Sequence, residues 1–308
     1  MTELTEFQRK LSALLPDVEL RFEEALAKHT SFRIGGDAEV MAFPKTKIEL
    51  ADILKACAKL NCKCAILGAG TNVLAPDEGL REVVVCTKDA LLGLTGLGGG
   101  EIEAGAGETL SKTAVFARNL GLTGLEFAHG IPGTVGGGIY MNAGAYGGEM
   151  KQAAVRTTAL SMDGAMRVFS GDEQGFSYRT SAFENLDMII VKTVFRLLPG
   201  QTDAIAARMQ SLMEKRRASQ PLELPSAGST FKRPEGYFAG KLIMDSGLAS
   251  SSAAAVSTTL MTCFTLVGEP GKPMRAGSAL ISVALYSLIS SPLVSSDRRR
   301  ASSSLPSV

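Results

Sequence analysis

Gly130-Ile-Pro-Gly-Thr-Val-Gly-Gly-Gly-Ile-Tyr-Met-Asn-Ala-Gly-Ala-Tyr-Gly-Gly148 places glycine at eight of nineteen positions. Glycine loses more conformational freedom on folding than any other residue, so a dense cluster needs a local reason. A flexible linker would be Gly/Ser-rich and polar. This stretch instead carries Ile131, Pro132, Val135, Ile139, Tyr140 and Met141 between its glycines. It reads as a loop whose main chain faces a ligand, with a tight structural turn as the alternative.

About sixty residues earlier, Gly68-Ala69-Gly70-Thr71-Asn72 follows Cys64-Ala-Ile-Leu-Gly68, which reads as a buried strand. Exposed N–H groups in such a turn can hold pyrophosphate oxygens. The third glycine of a dinucleotide fingerprint is Val73 here, and no Gly-Lys-Ser/Thr follows, so neither the Rossmann nor the Walker pattern applies. An ordinary turn remains an equal reading for this loop alone. Two glycine-rich hollows in one unit suit a long phosphate-bearing ligand such as a dinucleotide. Asn142, which donates and accepts at once, is a candidate reader of a ring edge.

Two further segments carry chemistry. Phe176-Ser-Tyr178-Arg179-Thr-Ser181 sets an aromatic and a permanently charged fork among hydroxyls. Arginine suits a carboxylate or a developing enolate, although on spacing alone a surface loop arginine is the favoured reading. Pro225-Ser-Ala-Gly-Ser229-Thr-Phe-Lys232-Arg233-Pro234 combines turn formers, hydroxyls and cations. It reads as a capped turn, with proton donation by a serine as the functional alternative.

The 308 residues suffice for two or three domains. Net charge is +1, from 32 basic and 31 acidic side chains, so no basic field points to nucleic acid. The five cysteines are odd in number and irregularly spaced. They read as reduced thiols with no metal site. The polar start lacks a signal-peptide apolar segment, and the expected location is the cytoplasm. Residues 1–28 are expected to form a helical segment broken at Pro16. Further helices are expected at Thr46–Leu60, Thr109–Leu120 and Thr202–Ser219. Strands are expected at Val83–Cys86, Glu101–Gly105, Val155–Met162, Ala165–Ser170 and Met188–Leu197. The order of elements predicts an α+β protein.

Beyond Leu248 the composition changes: residues 249–308 hold 15 serines and seven charged side chains. The apolar runs Ala253–Val267 and Ala279–Val294 fall short of the roughly 20 residues a membrane helix needs, so no membrane association is expected.

Taken together these segments resemble one family, UDP-N-acetylenolpyruvoylglucosamine reductase. The matching pieces include His29-Thr-Ser-Phe-Arg-Ile-Gly-Gly36, Leu67-Gly-Ala-Gly-Thr-Asn72, Glu126-Phe-Ala-His-Gly-Ile-Pro-Gly-Thr-Val-Gly-Gly137, Met141-Asn-Ala-Gly-Ala-Tyr-Gly-Gly-Glu149, Phe176-Ser-Tyr-Arg179 and Gln220-Pro-Leu-Glu-Leu-Pro-Ser-Ala-Gly-Ser-Thr-Phe-Lys-Arg-Pro234. The resemblance covers roughly residues 20–248 and looks like the compact form that lacks an extra tyrosine-bearing loop. It implies a two-lobed FAD-binding domain of the vanillyl-alcohol-oxidase (PCMH) type over 29–199, split near 90–100. A smaller α+β substrate-binding domain follows over 200–248.

The implied reaction is NADPH-dependent reduction of the enolpyruvyl group of a UDP-sugar to UDP-N-acetylmuramate, a step of peptidoglycan synthesis that serves cell shape and division. The implied cofactor is non-covalent FAD, and the implied state a monomer. By the same resemblance Arg179 and Ser229 are catalytic, and Tyr178 and Lys232 contact substrate. Gly68, Ala69, Gly70, Thr71, Asn72, Gly130, Ile131, Pro132, Gly133, Gly136, Gly137, Asn142 and Gly144 hold the flavin cofactor.

The chain departs from the family after Asp245-Ser-Gly-Leu248. The family's C-terminal glutamate has no counterpart, the one later glutamate being Glu269 in a Gly-Glu-Pro-Gly turn. A shifted reading frame near residue 249 and an incomplete substrate domain are the expectation. A catalytically impaired flavin-binding remnant and another flavin oxidoreductase of the same fold are the alternative functions.

Overall fold

The structure, a computed structural model, describes residues 3–228, residues 236, 237, 241, 242 and 245, and the backbone of residues 265 and 266. The first lobe opens with α1 (Glu6–Leu14). Its N-cap Thr5 and Gln8 exchange side-chain and backbone hydrogen bonds in a capping box. The chain then turns at Pro16 into β1 (Glu19–Ala25). The expected helical segment is therefore corrected. In Glu-Leu-Arg-Phe-Glu-Glu-Ala the apolar Leu20 and Phe22 alternate with exposed charged residues, the period of an edge strand.

The lobe continues with β2 (Asp37–Phe43), α2 (Lys47–Lys59), β3 (Cys64–Leu67), the short β4 (Val73–Leu74) and β5 (Leu80–Cys86). The sheet order is β1-β2-β5-β3. β1 is antiparallel to β2, and the other pairings are parallel. Val83 and Val85 enter the main core, while Val84 and Cys86 enter a second cluster with Leu26, Met41 and Leu67. A parallel strand covered on both faces explains the unbroken valine run.

The second lobe begins with β6 (Leu94–Gly98), β7 (Glu101–Gly105), α3 (Leu110–Asn119) and β8 (Leu122–Thr123). Next come α4 (Val135–Tyr140), β9 (Gly144–Ala145), β10 (Gly148–Glu149), β11 (Ala154–Ser161), β12 (Met166–Ser170), β13 (Met188–Arg196) and β14 (Leu198–Pro199). Its main sheet runs β12-β11-β13-β7-β6, antiparallel throughout. Helix α5 (Thr202–Ser219) follows, with Ile205 and Met209 buried against the lobe. One apolar cluster joins the two sheets: Val40, Leu54 and Val83 of the first lobe share it with Ile102, Ala104, Ile139 and Phe195 of the second.

Candidate active site

A single cavity of ≈ 1240 Å³ is lined by both glycine loops, by Arg179 and by the segment 219–226. It exceeds the roughly 300–1,000 Å³ usual for one small ligand, which leaves room for an extended cofactor beside a substrate.

The Gly68–Asn72 turn is built backwards from its glycine. Gly70 has φ +63°, and a Cβ there would lie 2.0 Å from the His29 carbonyl oxygen. The turn therefore backs directly onto residue 29, and its main chain faces the cavity. Among the described residues no group accepts from the N–H of Ala69, Gly70 or Thr71. Three clustered donors of this kind are what an anionic ligand satisfies. The Thr71 hydroxyl donates to Pro132 O at 3.1 Å and ties this hollow to the next.

The second hollow is not a loop throughout. Its centre is α4, whose N-cap Thr134 accepts from Gly137 N–H at 3.3 Å. Val135 and Gly136 donate to the carbonyls of Glu108 and Ala106 at 2.7 and 2.8 Å. These bonds anchor the glycines to the β7–α3 connection. Gly130, Ile131, Pro132, Gly133, Gly136, Gly137 and Gly144 all line the cavity, as do Gly68 to Asn72.

Asn142 is corrected. It is 1 % exposed and is not part of the cavity wall. Its Nδ2 donates to Glu149 Oε2 at 3.0 Å and to Ser177 O at 2.9 Å, and its Oδ1 accepts from Lys151 N–H at 3.0 Å. Every polar atom of its side chain is engaged inside the protein, so it reads no ring. It braces the turn that presents Arg179.

That turn is closed by Ser177 and Thr180, whose N–H groups donate to each other's carbonyls at 3.0 and 3.3 Å. Arg179 occupies it at φ +58°, a left-handed conformation uncommon for any residue with a Cβ. Its Nη2 donates to Gly144 O at 2.8 Å. Its Nε is buried and has no partner among the described residues. Backbone strain and an unsatisfied charged donor together on a cavity wall mark a group held for a ligand. Tyr178 lies in the same turn, 44 % exposed, with its ring centroid 5.7 Å from the Arg179 guanidinium carbon. It is outside the cavity lining. Ser229 and Lys232 lie outside the described residues.

The cavity wall holds three residues that sequence reading passed over. Tyr140 lines it, and burial, with the Glu184 carboxylate adding to it, pushes its hydroxyl up to about 12. It stays a hydrogen-bond donor at neutral pH. Arg33 and Arg216 also line it. Burial lowers the Arg216 guanidinium below its ordinary range, against the pull of Tyr146. Nothing in the local sequence distinguishes these arginines from surface ones, since only the tertiary fold brings Arg216 of α5 beside Gly130. Cys57, Cys62, Cys64 and Cys86 are free thiols. The described residues contain no metal-binding cluster and no helix long and apolar enough to cross a membrane.

Free main-chain donors in one glycine hollow, a second glycine hollow tied to it, and a half-buried arginine on the same cavity wall of a two-lobed α+β scaffold are the features of a flavin-dinucleotide-binding protein. In keeping with this, the FAD binding domain family matches residues 38–170. The C-terminal domain of UDP-N-acetylenolpyruvoylglucosamine reductase matches residues 220–282, past Leu248, where the quoted motifs end.

Two similar proteins are reductases of that name. The one from Clostridium novyi (strain NT) is 42% identical over 248 residues, covering 80% of this chain and 80% of the relative. The one from Agathobacter rectalis is 40% identical over 286 residues, covering 85% and 87%. The crystal structure of the Thermus caldophilus reductase aligns with a TM-score of 0.64 at 29% identity, covering 87% of this chain and 93% of that one. The chain belongs to the UDP-N-acetylenolpyruvoylglucosamine reductase family, with a PCMH-type FAD-binding domain followed by that family's C-terminal domain.

Proposed function

We propose that the protein reduces UDP-N-acetylenolpyruvoylglucosamine to UDP-N-acetylmuramate in peptidoglycan synthesis, with non-covalent FAD as cofactor and NADPH as reductant. The observation that carries the reading is Arg179, strained and with an unpartnered buried Nε, on the wall of a cavity whose other side is glycine main chain.

When bound, the flavin supplies the hydride chemistry, taking hydride from NADPH and delivering it to the enolpyruvyl double bond. The residues of the chain orient and polarise. The N–H groups of Ala69, Gly70 and Thr71 would hold the pyrophosphate of the cofactor, and the 130–137 hollow would take part of the rest. Arg179 sets a fixed positive fork against the substrate carboxylate and the enolate charge that grows beside it. Ser229 returns a proton to the carbon left with that charge, and Lys232 holds the UDP-sugar. The near-neutral chain works as a cytoplasmic monomer without nucleic acid.

Purified protein is expected to be yellow, to bleach with NADPH, and to recover its colour on adding UDP-N-acetylenolpyruvoylglucosamine. Arg179→Lys keeps a charge but loses the fork, and is expected to slow the recovery step about 10²–10³-fold while still binding flavin. A colourless protein indifferent to FAD contradicts the reading. A yellow protein that bleaches but does not recover is the signature of an impaired remnant.

A further inference from the structure

The motif beginning at His29 is not accounted for by the cavity wall alone, and its third residue has an unusual set of partners. Ser31 N–H donates to Gly70 O at 2.9 Å. Its hydroxyl lies 3.4 Å from the same carbonyl. The Ser31 carbonyl accepts from Ser226 N–H at 3.1 Å, and the Ser31 hydroxyl donates to Ser226 O. Ser226 Oγ in turn accepts from Gly228 N–H at 3.2 Å. One residue thus touches the turn of the first hollow on one side and the approach to position 229 on the other, 195 positions away in the chain.

The first of these contacts is stiff. Gly70 is left-handed and pressed against the His29 carbonyl, so neither can move without the other. The second rests on two hydrogen bonds, one between main chains and one from the Ser31 hydroxyl. A hydroxyl carries a single proton, and here it goes to Ser226 O. Removing it leaves that carbonyl short of a donor and keeps the one main-chain bond.

We propose that Ser31 is a positioning residue that couples a dinucleotide's occupancy of the Gly68–Asn72 hollow to the placement of the Ser226–Gly228 segment. It rests on the reading above only in taking that dinucleotide to be FAD and residue 229 to be the proton donor. Phosphate oxygens received by the turn fix the Gly70 carbonyl. Ser31 passes that fixation to Ser226, and through the Ser226 hydroxyl to Gly228. Cofactor loading thereby prepares the half of the site that handles substrate.

The test uses the full chain, flavin-loaded and flavin-stripped, as wild type, Ser31→Ala and Ser31→Thr. Hydrogen–deuterium exchange over residues 222–228 is read by mass spectrometry. Wild type is expected to show slower exchange at Ser226 with FAD than without it, by about tenfold, the equivalent of one hydrogen bond. Ser31→Ala is expected to keep its flavin content but lose that FAD dependence, and Ser31→Thr, which retains a hydroxyl, to restore it. Reduction of Ser31→Ala by NADPH should be unchanged and its reoxidation by the UDP-sugar about tenfold slower. FAD-independent exchange in wild type, or unaltered FAD dependence in Ser31→Ala, overturns the proposal, as does a Ser31→Thr that fails to restore a dependence lost in Ser31→Ala. Coupling in a protein that never reoxidises with the UDP-sugar supports the Ser31 link and instead overturns the assigned reaction.

Discussion

The two glycine loops reach the same cavity by different routes. In the Gly68–Asn72 turn, Gly70 is wedged onto the His29 carbonyl and adopts a left-handed conformation that favours glycine. In the 130–148 stretch, a short helix of ordinary dihedrals runs through three consecutive glycines, and Gly136 lies 3.1 Å, by its missing Cβ, from Ala106 Cβ. Gly70 is needed for its backbone shape as well as its fit, and Gly136 for its closeness to a neighbouring segment alone. In both, the surface glycine meets is the protein itself. In the Gly68–Asn72 turn, backing onto the chain on one side is what leaves main-chain donors facing the cavity on the other.

Substitutions separate the two uses. Gly70→Ala combines a left-handed φ with a clash against backbone that cannot yield, so it is expected to carry the largest effect. Overpacking and dihedral strain together come to about 2–4 kcal/mol, and the purified protein should contain little or no flavin by absorbance.

Asn142→Ala strips three hydrogen bonds at once and leaves alanine at φ +42°. A loss of about 2–3 kcal/mol is expected in denaturant unfolding. Turnover should suffer more than flavin content, because the Ser177–Thr180 turn loses its brace.

Gly136→Ala should cost least of the three. Helix propensity favours alanine by about 1 kcal/mol, against an overpacking cost of about 1–3 kcal/mol at Ala106. A stability change equal to that of Gly70→Ala would erase the distinction between the loops.

The smallest effect concerns His129, just ahead of the second loop, where its Nδ1 lies 3.2 Å from Ser111 Oγ. Burial, with Arg118 adding to it, lowers its pKa, against a smaller opposing contribution from Ser111. The unfolded chain then takes the proton first as pH falls. The contribution of His129 to stability is complete above the ordinary imidazole range near 6.5 and declines below it. Thermal unfolding of wild type and His129→Gln between about pH 8 and 5 should show the flatter profile in the variant.

Much of this was legible in the sequence. The apolar periodicity of Thr46–Leu60 and Thr109–Leu120 gave α2 and α3 to within a residue or two, and Thr202–Ser219 gave α5. The valine run marked β5 because burial on both faces leaves no polar interruption. β1 was hidden, since an edge strand with Glu, Arg and Glu on its open face carries the charge density of a solvated helix. α4 was hidden for the opposite reason. Three glycines argue against any helix, and the Thr134 cap with the bonds to Ala106 and Glu108 overrides that propensity. At the site, the glycines and Arg179 could be found from residue type and motif. Asn142 could not be placed, because an amide that reads a ligand and one that braces a turn look the same before folding. Arg33 and Arg216 carried no local signal, and the expectations for Ser229, Lys232 and a shifted frame at 249 lie outside the described residues.

The continuous apolar interior sets a rule for how this architecture can be taken apart. Leu91, Ala104 and Phe195 fill the same interior as Val40, Ile53 and Val85. A fragment ending at Thr87 would therefore present half of that interior to water. Its sheet would have lost the surface that makes it worth burying. Neither sheet is a portable module, and a graft or split-protein design that respects the molecule must carry both.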